Sequence, residues 1–155
     1  MILSTFTHND IFHLGINMFV MFSFAQSGVA VLGKEQFLAV YTSAGVFASL
    51  VSLTQKVITR TAIPTIGASG AILAVFAIHC LSFPDSRIQI IFLPFLGTSA
   101  GYALPAIVLM DSIGLLLRWR WLDHAAHLGG ACIGRCDNHY RPKNRILLLL
   151  YLFHF

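Results

Sequence analysis

Long apolar runs recur along this chain, and they constrain its fold more than any other feature. An α-helix needs about 17–25 mostly apolar residues to cross the hydrocarbon core of a bilayer. Five such runs are separated by short polar turns, over about residues 11–31, 36–53, 69–83, 100–117 and from about 123 onward. The third run is short for a lipid-exposed helix, which predicts that its neighbours enclose it. The predicted fold class is therefore all-α, a polytopic membrane helical bundle.

The composition excludes a water-soluble globular domain. The 155 residues are 57% hydrophobic and 10% charged, whereas soluble domains average about 25% charged residues. The net charge of +4 comes largely from a basic tail after residue 134. The sequence contains no stripe of basic and aromatic residues of the kind that binds nucleic acid. The predicted partner is therefore the lipid bilayer. The three cysteines lack zinc-ligand spacing and are predicted to be packing residues.

The chain is predicted to form one domain followed by a tail. No internal repeat or low-complexity linker divides residues 1–134, and residues 135–155 are first basic and then apolar. Because an unpaired charge inside hydrocarbon costs several kcal/mol, the polar segment 135–142 is predicted to interrupt the last helix. The β-branched and aromatic stretch from residue 87 to 95 is not assigned to a helix.

A small-residue motif, Gly67-Ala68-Ser69-Gly70, stands at the head of the third run, shortly after Pro64. A serine at the start of a helix lies at the positive end of the helix dipole, where free N–H groups stabilise developing negative charge. Ser69 is therefore a candidate nucleophile for a reaction that forms an oxyanion. The structural alternative is that Ser69 is a helix N-cap in a small-residue packing site.

Polar side chains recur at the starts of alternate helices. If each helix crosses the membrane once, the first, third and fifth helices start on the same side. His13 and Asn17 lie near the start of the first helix, and Ser69 and His127 lie near the starts of the third and fifth. Polar residues inside a membrane usually face the bundle interior or a water-filled cavity. The spacing therefore predicts that these four side chains lie at similar depth.

A serine nucleophile needs a base within hydrogen-bond reach, and histidine suits that role. His127 and His124 are both candidates, because residues three apart lie on roughly the same helix face. Gly130 and Gly134 follow His127 as a stripe of small residues, which allows close approach to the helix that carries Gly70. This stripe favours His127 as the base.

His13 and Asn17 are four residues apart and share a helical face. A neutral imidazole and a carboxamide can each donate a hydrogen bond to a carbonyl oxygen that becomes negative. Together with the Ser69 backbone N–H they would form an oxyanion hole. The alternative is that both side chains form interhelical hydrogen bonds that only hold the bundle together.

Three other kinds of site are less favoured by the pattern. The histidine pairs lack the HExxH spacing, so no metal site is predicted. The sequence GASGA lacks the second glycine of the G-x-S-x-G turn, so a soluble hydrolase fold is not implied. Asp111 could complete a triad, but its place toward the middle or far end of the fourth helix favours a packing or interfacial role. The sequence predicts a Ser–His dyad without an acid.

Three motifs together resemble the rhomboid intramembrane serine proteases: GASGA at residues 67–71, HLGGACIG at 127–134 and HLGIN at 13–17. The resemblance covers about residues 4–134. It implies a six-helix core that this chain enters at its second helix, so that about five core helices are present. It also implies hydrolysis of peptide bonds in or near the transmembrane segments of membrane-protein substrates, without a cofactor. The mitochondrial inner membrane is implied because the similarity is to mitochondrial members.

The resemblance also assigns roles to residues. It implies Ser69 as the nucleophile, His127 rather than His124 as the general base, and an oxyanion hole formed by His13 and Asn17. It further implies that four glycines support the packing of the helices at this site, namely Gly67, Gly70, Gly130 and Gly134.

The chain departs from the family pattern in three places. The first core helix and the long loop after it are absent, and the tail after residue 134 is unrelated. Leu73 stands where many members carry a tyrosine that stacks on the base. Two expectations follow for this truncated form, an active protease or one whose activity is impaired. The alternatives are a non-catalytic rhomboid-like protein that binds transmembrane clients, and a membrane segment whose polar residues only pack helices.

Overall fold

The computed structural model describes residues 6–8, 10–61, 68–90, 93–119 and 122–139. These residues form five α-helices and one antiparallel β-hairpin: α1 (Ile11–Leu32), α2 (Lys34–Thr59), α3 (Ser69–Ser82), β1 (Arg87–Ile90), β2 (Leu93–Ser99), α4 (Ala100–Leu116) and α5 (His124–His139). The predicted helical bundle is confirmed. Among the described helices, α1 and α2 are long and apolar enough to span a membrane, and α3 and α4 are shorter apolar helices.

Two helices extend further than the sequence predicted. Helix α2 continues to Thr59, about a turn and a half beyond the expected end. Helix α5 continues to His139, so the predicted interruption is wrong for residues 135–139. The structure leaves Arg135 exposed in the last turns of the helix. Asp137 accepts a hydrogen bond of 3.3 Å from Gln36 Nε2 of α2, so the carboxylate is not left alone in an apolar environment.

The unassigned stretch after α3 forms the hairpin. Strands β1 and β2 pair antiparallel with Arg87 opposite Ser99, and the register shifts between Gln89 and Ile90. The hairpin follows α3 after a short turn and leads directly into α4, because Ser99 is both the last residue of β2 and the N-cap of α4. Its β-branched and aromatic composition is typical of strands.

Helix α3 occupies the centre of the bundle and contacts α1, α2, α4 and α5. Most of its side chains are buried, as its short length predicted. About two turns along α3 from Ser69, the ring of Phe76 meets Phe24 of α1 edge-on, with ring centroids 5.0 Å apart. Ala103 and Leu104 of α4 join the same apolar cluster. This packing holds α1 and α4 on α3.

Helices α2, α3 and α5 approach one another closely enough to exclude a methyl group. A Cβ at Gly130 would collide with the carbonyl oxygen of Gly70, and a Cβ at Gly134 would lie 2.5 Å from that of Ala74. Gly70 itself lies against Ala48 of α2. The absence of side chains at these positions lets the backbones pack directly. The start of α3 is thereby held next to the start of α5. Gly67 lies outside the described residues.

The cysteines differ in their surroundings. Cys80 of α3 is buried, as predicted for a packing residue, but Cys132 and Cys136 are exposed on α5. The prediction was wrong for these two because they lie on the face of α5 opposite its glycine stripe.

Candidate active site

A cavity of about 600 Å³ lies at the N-terminal end of α3. Residues from α1, α2, α4 and α5 line it together with the first residue of α3. Ser69, His127, His13 and Asn17, which the sequence predicted to lie at similar depth, all line this cavity. The structure therefore brings these four side chains to one place.

Ser69 is the first residue of α3 and is half-buried. Ala68 takes the N-cap position and offers no side-chain hydrogen bond, so the N-cap alternative for Ser69 is wrong. The first N–H groups of a helix have no acceptor within the helix. A serine at this position therefore has both a hydroxyl and nearby backbone donors at the cavity.

Asp111 lies against both candidate histidines. His127 Nδ1 is 3.1 and 3.2 Å from the two carboxylate oxygens of Asp111, and His124 Nδ1 is 2.6 Å from Oδ1. The side chain of Asp111 is fully buried. The buried contact excludes the interfacial role predicted for Asp111 and agrees with the predicted helix-packing role, since it joins α4 to α5. The predicted Ser–His dyad without an acid stays a prediction.

The contact of Asp111 with both histidines follows from the antiparallel packing of α4 on α5. A short connection joins Leu116 to His124, so the second half of α4 lies beside the first turn of α5. Asp111 of α4 thereby lies at the same depth in the bundle as His127 of α5, which follows it by 16 residues in the sequence. One signal in the sequence could have found this contact, namely an acid shortly before a short interhelical turn and a histidine shortly after it.

The two histidines differ in their access to the cavity. The side chain of His127 is 15% exposed, whereas that of His124 is 3% exposed. The ring of His124 packs on Gly114, where a Cβ would lie 2.5 Å from the ring. The Nε2 atom of His124 is buried without a hydrogen-bond partner among the described residues. His127 is thus the more accessible base.

Asn17 and His13 bring polar nitrogen atoms to the same cavity. Asn17 is 5% exposed, and its amide nitrogen is buried without a hydrogen-bond partner in the described part of the chain. The same is true of His13 Nδ1, and the His13 backbone N–H bonds to Asp10 at 2.8 Å. A buried donor left unpaired costs about 1–3 kcal/mol. Such atoms suit a site that receives an acceptor from a bound molecule.

An ion pair fixes the start of α5 to α2 at the cavity wall. Lys56 Nζ donates to Asp123 Oδ2 at 2.7 Å, and Ser52 Oγ donates to the same oxygen at 2.6 Å. The other oxygen accepts the Ala126 N–H at 3.1 Å, which caps α5. Asp123 precedes α5, outside the membrane-spanning helices. Burial alone would raise the pKa of the Asp123 carboxyl, but the hydrogen bonds from Lys56, Ser52 and Ala126 and the Lys56 charge hold that pKa below its ordinary value.

Asp123→Asn is expected to lower the free energy of unfolding at pH 7 by about 1–3 kcal/mol, since hydrogen bonds to charged groups contribute at this level. The folded carboxyl has the lower pKa. Its stabilisation is therefore present above the unfolded value of about 3.9 and is lost as the pH falls through the folded value. Thermal unfolding in detergent micelles from pH 7 to 3 measures both proteins. A stability difference that does not shrink below pH 4 would contradict the prediction.

Comparisons with known proteins give one matching family and several similar proteins. A family model described as Rhomboid domain matches residues 1–138. The chain is 52% identical over 134 residues to the presenilin-associated rhomboid-like protein, mitochondrial, of Homo sapiens and of Mus musculus, over 86% of this chain and 35% and 36% of those proteins. It is 38% identical over 142 residues to rhomboid protein 1, mitochondrial, of Saccharomyces cerevisiae, over 90% of this chain and 41% of the yeast protein.

The chain thus spans little more than a third of the length of its mammalian relatives. No solved structure matches it significantly. The family match nevertheless covers all five described helices almost completely. The resemblance drawn from three short motifs is confirmed, and the chain belongs to the rhomboid family.

Proposed function

We propose that this chain is an intramembrane serine endopeptidase that hydrolyses peptide bonds in or near the transmembrane segments of other membrane proteins. Membership of the rhomboid family makes it a rhomboid-like membrane protein. The observation that carries the proposal is that Ser69, His127, His13 and Asn17 line the same cavity. The proposed location is the mitochondrial inner membrane, because the relatives are named as mitochondrial.

The proposed chemistry begins at Ser69. Its Oγ attacks the scissile carbonyl carbon while His127 takes the hydroxyl proton. The resulting tetrahedral intermediate expels the amine, which receives that proton from His127, and leaves an acyl ester on Ser69. A water molecule then attacks the ester while His127 takes a proton from it. The bond between the acyl carbon and Ser69 Oγ breaks, the acid leaves, and His127 returns the proton to Oγ. Each proton that His127 accepts is returned within the same half-reaction.

The negative oxygen of the intermediate needs hydrogen-bond donors. The unpartnered amide nitrogen of Asn17 supplies one, and His13 and the backbone N–H of Ser69 supply others. Donors fixed in place before the reaction need no reorganisation as the charge develops. This arrangement requires no metal or cofactor.

The proposal is tested by labelling with a fluorophosphonate probe, which forms a covalent bond with an activated serine. We expect labelling of the purified chain in micelles, and its loss in both Ser69→Ala and His127→Ala. Ser43→Ala is a matched control, because Ser43 Oγ bonds only to carbonyls of its own helix among the described residues. Labelling that survives Ser69→Ala would overturn the assignment of the nucleophile.

A second function has one observation in its favour, which is that the mammalian relatives are named rhomboid-like. In this alternative the chain binds transmembrane clients without cleaving them. A folded chain that neither labels nor cleaves, but retains a transmembrane peptide on co-purification, would support this alternative over the protease.

Asn17→Ala is expected to lower kcat for reporter cleavage by about 10²–10³-fold, because one oxyanion donor is lost. KM should change little, since the donor acts mainly on charge that develops in the transition state. Steady-state kinetics with a fluorogenic transmembrane reporter measures both constants. Gln26→Ala, an exposed amide on the same helix, is the control and should leave kcat unchanged. An Asn17→Ala protein with wild-type kcat would remove Asn17 from the site.

A further inference from the structure

We infer that Asp111 is a positioning residue that holds the proposed base, His127, in the tautomer able to accept a proton from Ser69, and that His124 anchors Asp111. This inference rests on the proposed function, since it concerns how the proposed base is prepared. It gives a role to an acid and an imidazole that the sequence offered as candidates but did not favour.

The tautomer follows from the hydrogen bonds of Asp111. An ionised carboxylate can only accept hydrogen bonds. The nitrogen that each histidine presents to it is Nδ1, at 2.6 Å for His124 and at 3.1 and 3.2 Å for His127. Each Nδ1 must therefore carry the proton. A neutral His127 then has an unprotonated Nε2, which is the atom available to take the Ser69 proton.

The carboxylate also stabilises the product of that proton transfer. When His127 takes the proton it becomes an imidazolium, and a positive charge in a membrane interior is costly unless a counter-ion is close. Asp111 is fully buried and in direct contact with the ring, so its negative charge is not screened by water. Lys56 and Asp123, which also line the cavity, neutralise each other in their own ion pair.

His124 is placed to keep Asp111 over His127. Its bond to Oδ1 is the shorter one, and its ring is held between Asp111 and the backbone of α4 at Gly114. The ring of Trp119 is tilted against the His124 ring, with centroids 6.0 Å apart. His124 thus has little freedom to move, and the carboxylate that it binds is fixed in turn.

A purely structural role for Asp111 is the competing explanation, in which the side chain only ties α4 to α5. That role predicts reduced stability but a normal rate for each folded molecule. It keeps the same hydrogen bonds and therefore the same tautomer of His127. The tautomer thus tests the hydrogen bonds, and the rate separates the two explanations.

The first measurement is the ¹⁵N chemical shift of the His127 ring. It uses Ser69→Ala protein labelled at histidine, in lipid nanodiscs at pH 8.5, with the His127 signals assigned by their loss in His127→Gln. We expect an Nδ1–H ring. A ring protonated at Nε2 would overturn the inference. Because this experiment retains Asp111, it does not depend on the folding of any Asp111 variant.

The second measurement is the kinetics of Asp111→Asn, which keeps the shape but replaces one acceptor by an amide donor. We expect kcat to fall by about 10²–10⁴-fold, as when the acid that orients a catalytic histidine is replaced, with KM within about threefold. Asp85→Asn is the control, because Asp85 is exposed in the turn after α3 and should leave kcat unchanged. Gly114→Ala, whose added Cβ would lie 2.5 Å from the His124 ring, should lower kcat about tenfold by displacing that ring.

The outcomes distinguish the two proposals. Cleavage that survives Ser69→Ala would refute the proposed function itself. Wild-type kcat in folded Asp111→Asn, with Ser69→Ala inactive, would refute only the role of Asp111. If Asp111→Asn does not fold, the kcat of folded Gly114→Ala decides the question, and a wild-type kcat there would refute the role of Asp111.

Discussion

Ser69→Ala is expected to lower kcat for cleavage of a transmembrane reporter below detection, a loss on the order of 10⁶-fold. Alanine has no nucleophilic oxygen, so no acyl ester can form and His127 has no hydroxyl proton to remove. The loss should appear almost entirely in kcat. The rest of the cavity, which binds the substrate, is unchanged by removing one oxygen atom.

The measurement compares the two proteins reconstituted at equal amounts in liposomes that contain the reporter. Helical circular dichroism and thermal unfolding establish that Ser69→Ala is folded. Its stability should match that of the parent closely, because Ala68 and not Ser69 occupies the helix N-cap. Ser43→Ala should cleave at the parental rate. Reporter cleavage by folded Ser69→Ala would exclude Ser69 as the nucleophile.

Gly130→Ala is expected to cost about 3 kcal/mol of folding free energy, at the upper end of the range for overpacking an interior. The added methyl group would collide with the backbone oxygen of Gly70, which cannot rotate away as a side chain would. The helices α3 and α5 must then separate, which moves His127 away from Ser69. Activity should therefore fall even at temperatures where the variant remains folded.

Thermal unfolding in micelles measures the stability, and reporter cleavage measures the activity. Gly15→Ala is the matched control, because nothing lies within 4 Å of a Cβ at Gly15 on α1. There the change should be neutral or stabilising by up to about 1 kcal/mol, since alanine is the better helix former. A Gly130→Ala protein as stable as Gly15→Ala would show that the close contact between α3 and α5 is not needed.

The sequence is sufficient to predict the membrane environment and the number of helices. Apolar runs too long for an ordinary soluble core require a membrane, and the polar turns between them set the helix count. The sequence also predicted the close approach of α3 to α5. The glycines at 70, 130 and 134 have no side chains, so the two backbones can pack directly against each other. The depth of His13, Asn17, Ser69 and His127 followed from counting crossings. Their chemical roles stay predictions.

The ends of the helices were less accessible to sequence reasoning. Polar residues near the end of α2 or α5 read equally well as a loop or as a helix continuing into the interface. The structure extends both helices, and it pairs Gln36 with Asp137 across them. Contacts between the two helices decide the residue at which each helix ends, whereas the composition of either helix does not.

The immediate surroundings of the candidate base were decided only by the tertiary structure. A membrane helix that is apolar on all sides carries no sequence signal for its rotation about its own axis. The sequence therefore did not show which neighbouring helix the Asp111 side of α4 faces. Packing against α5 fixes that rotation and brings the carboxylate to His124 and His127. The sequence by itself determined a membrane bundle with a serine, a histidine and two amide or imidazole donors at one depth. The packing of α4 on α5 added the acid, because only contact between helices selects the face of each that turns inward.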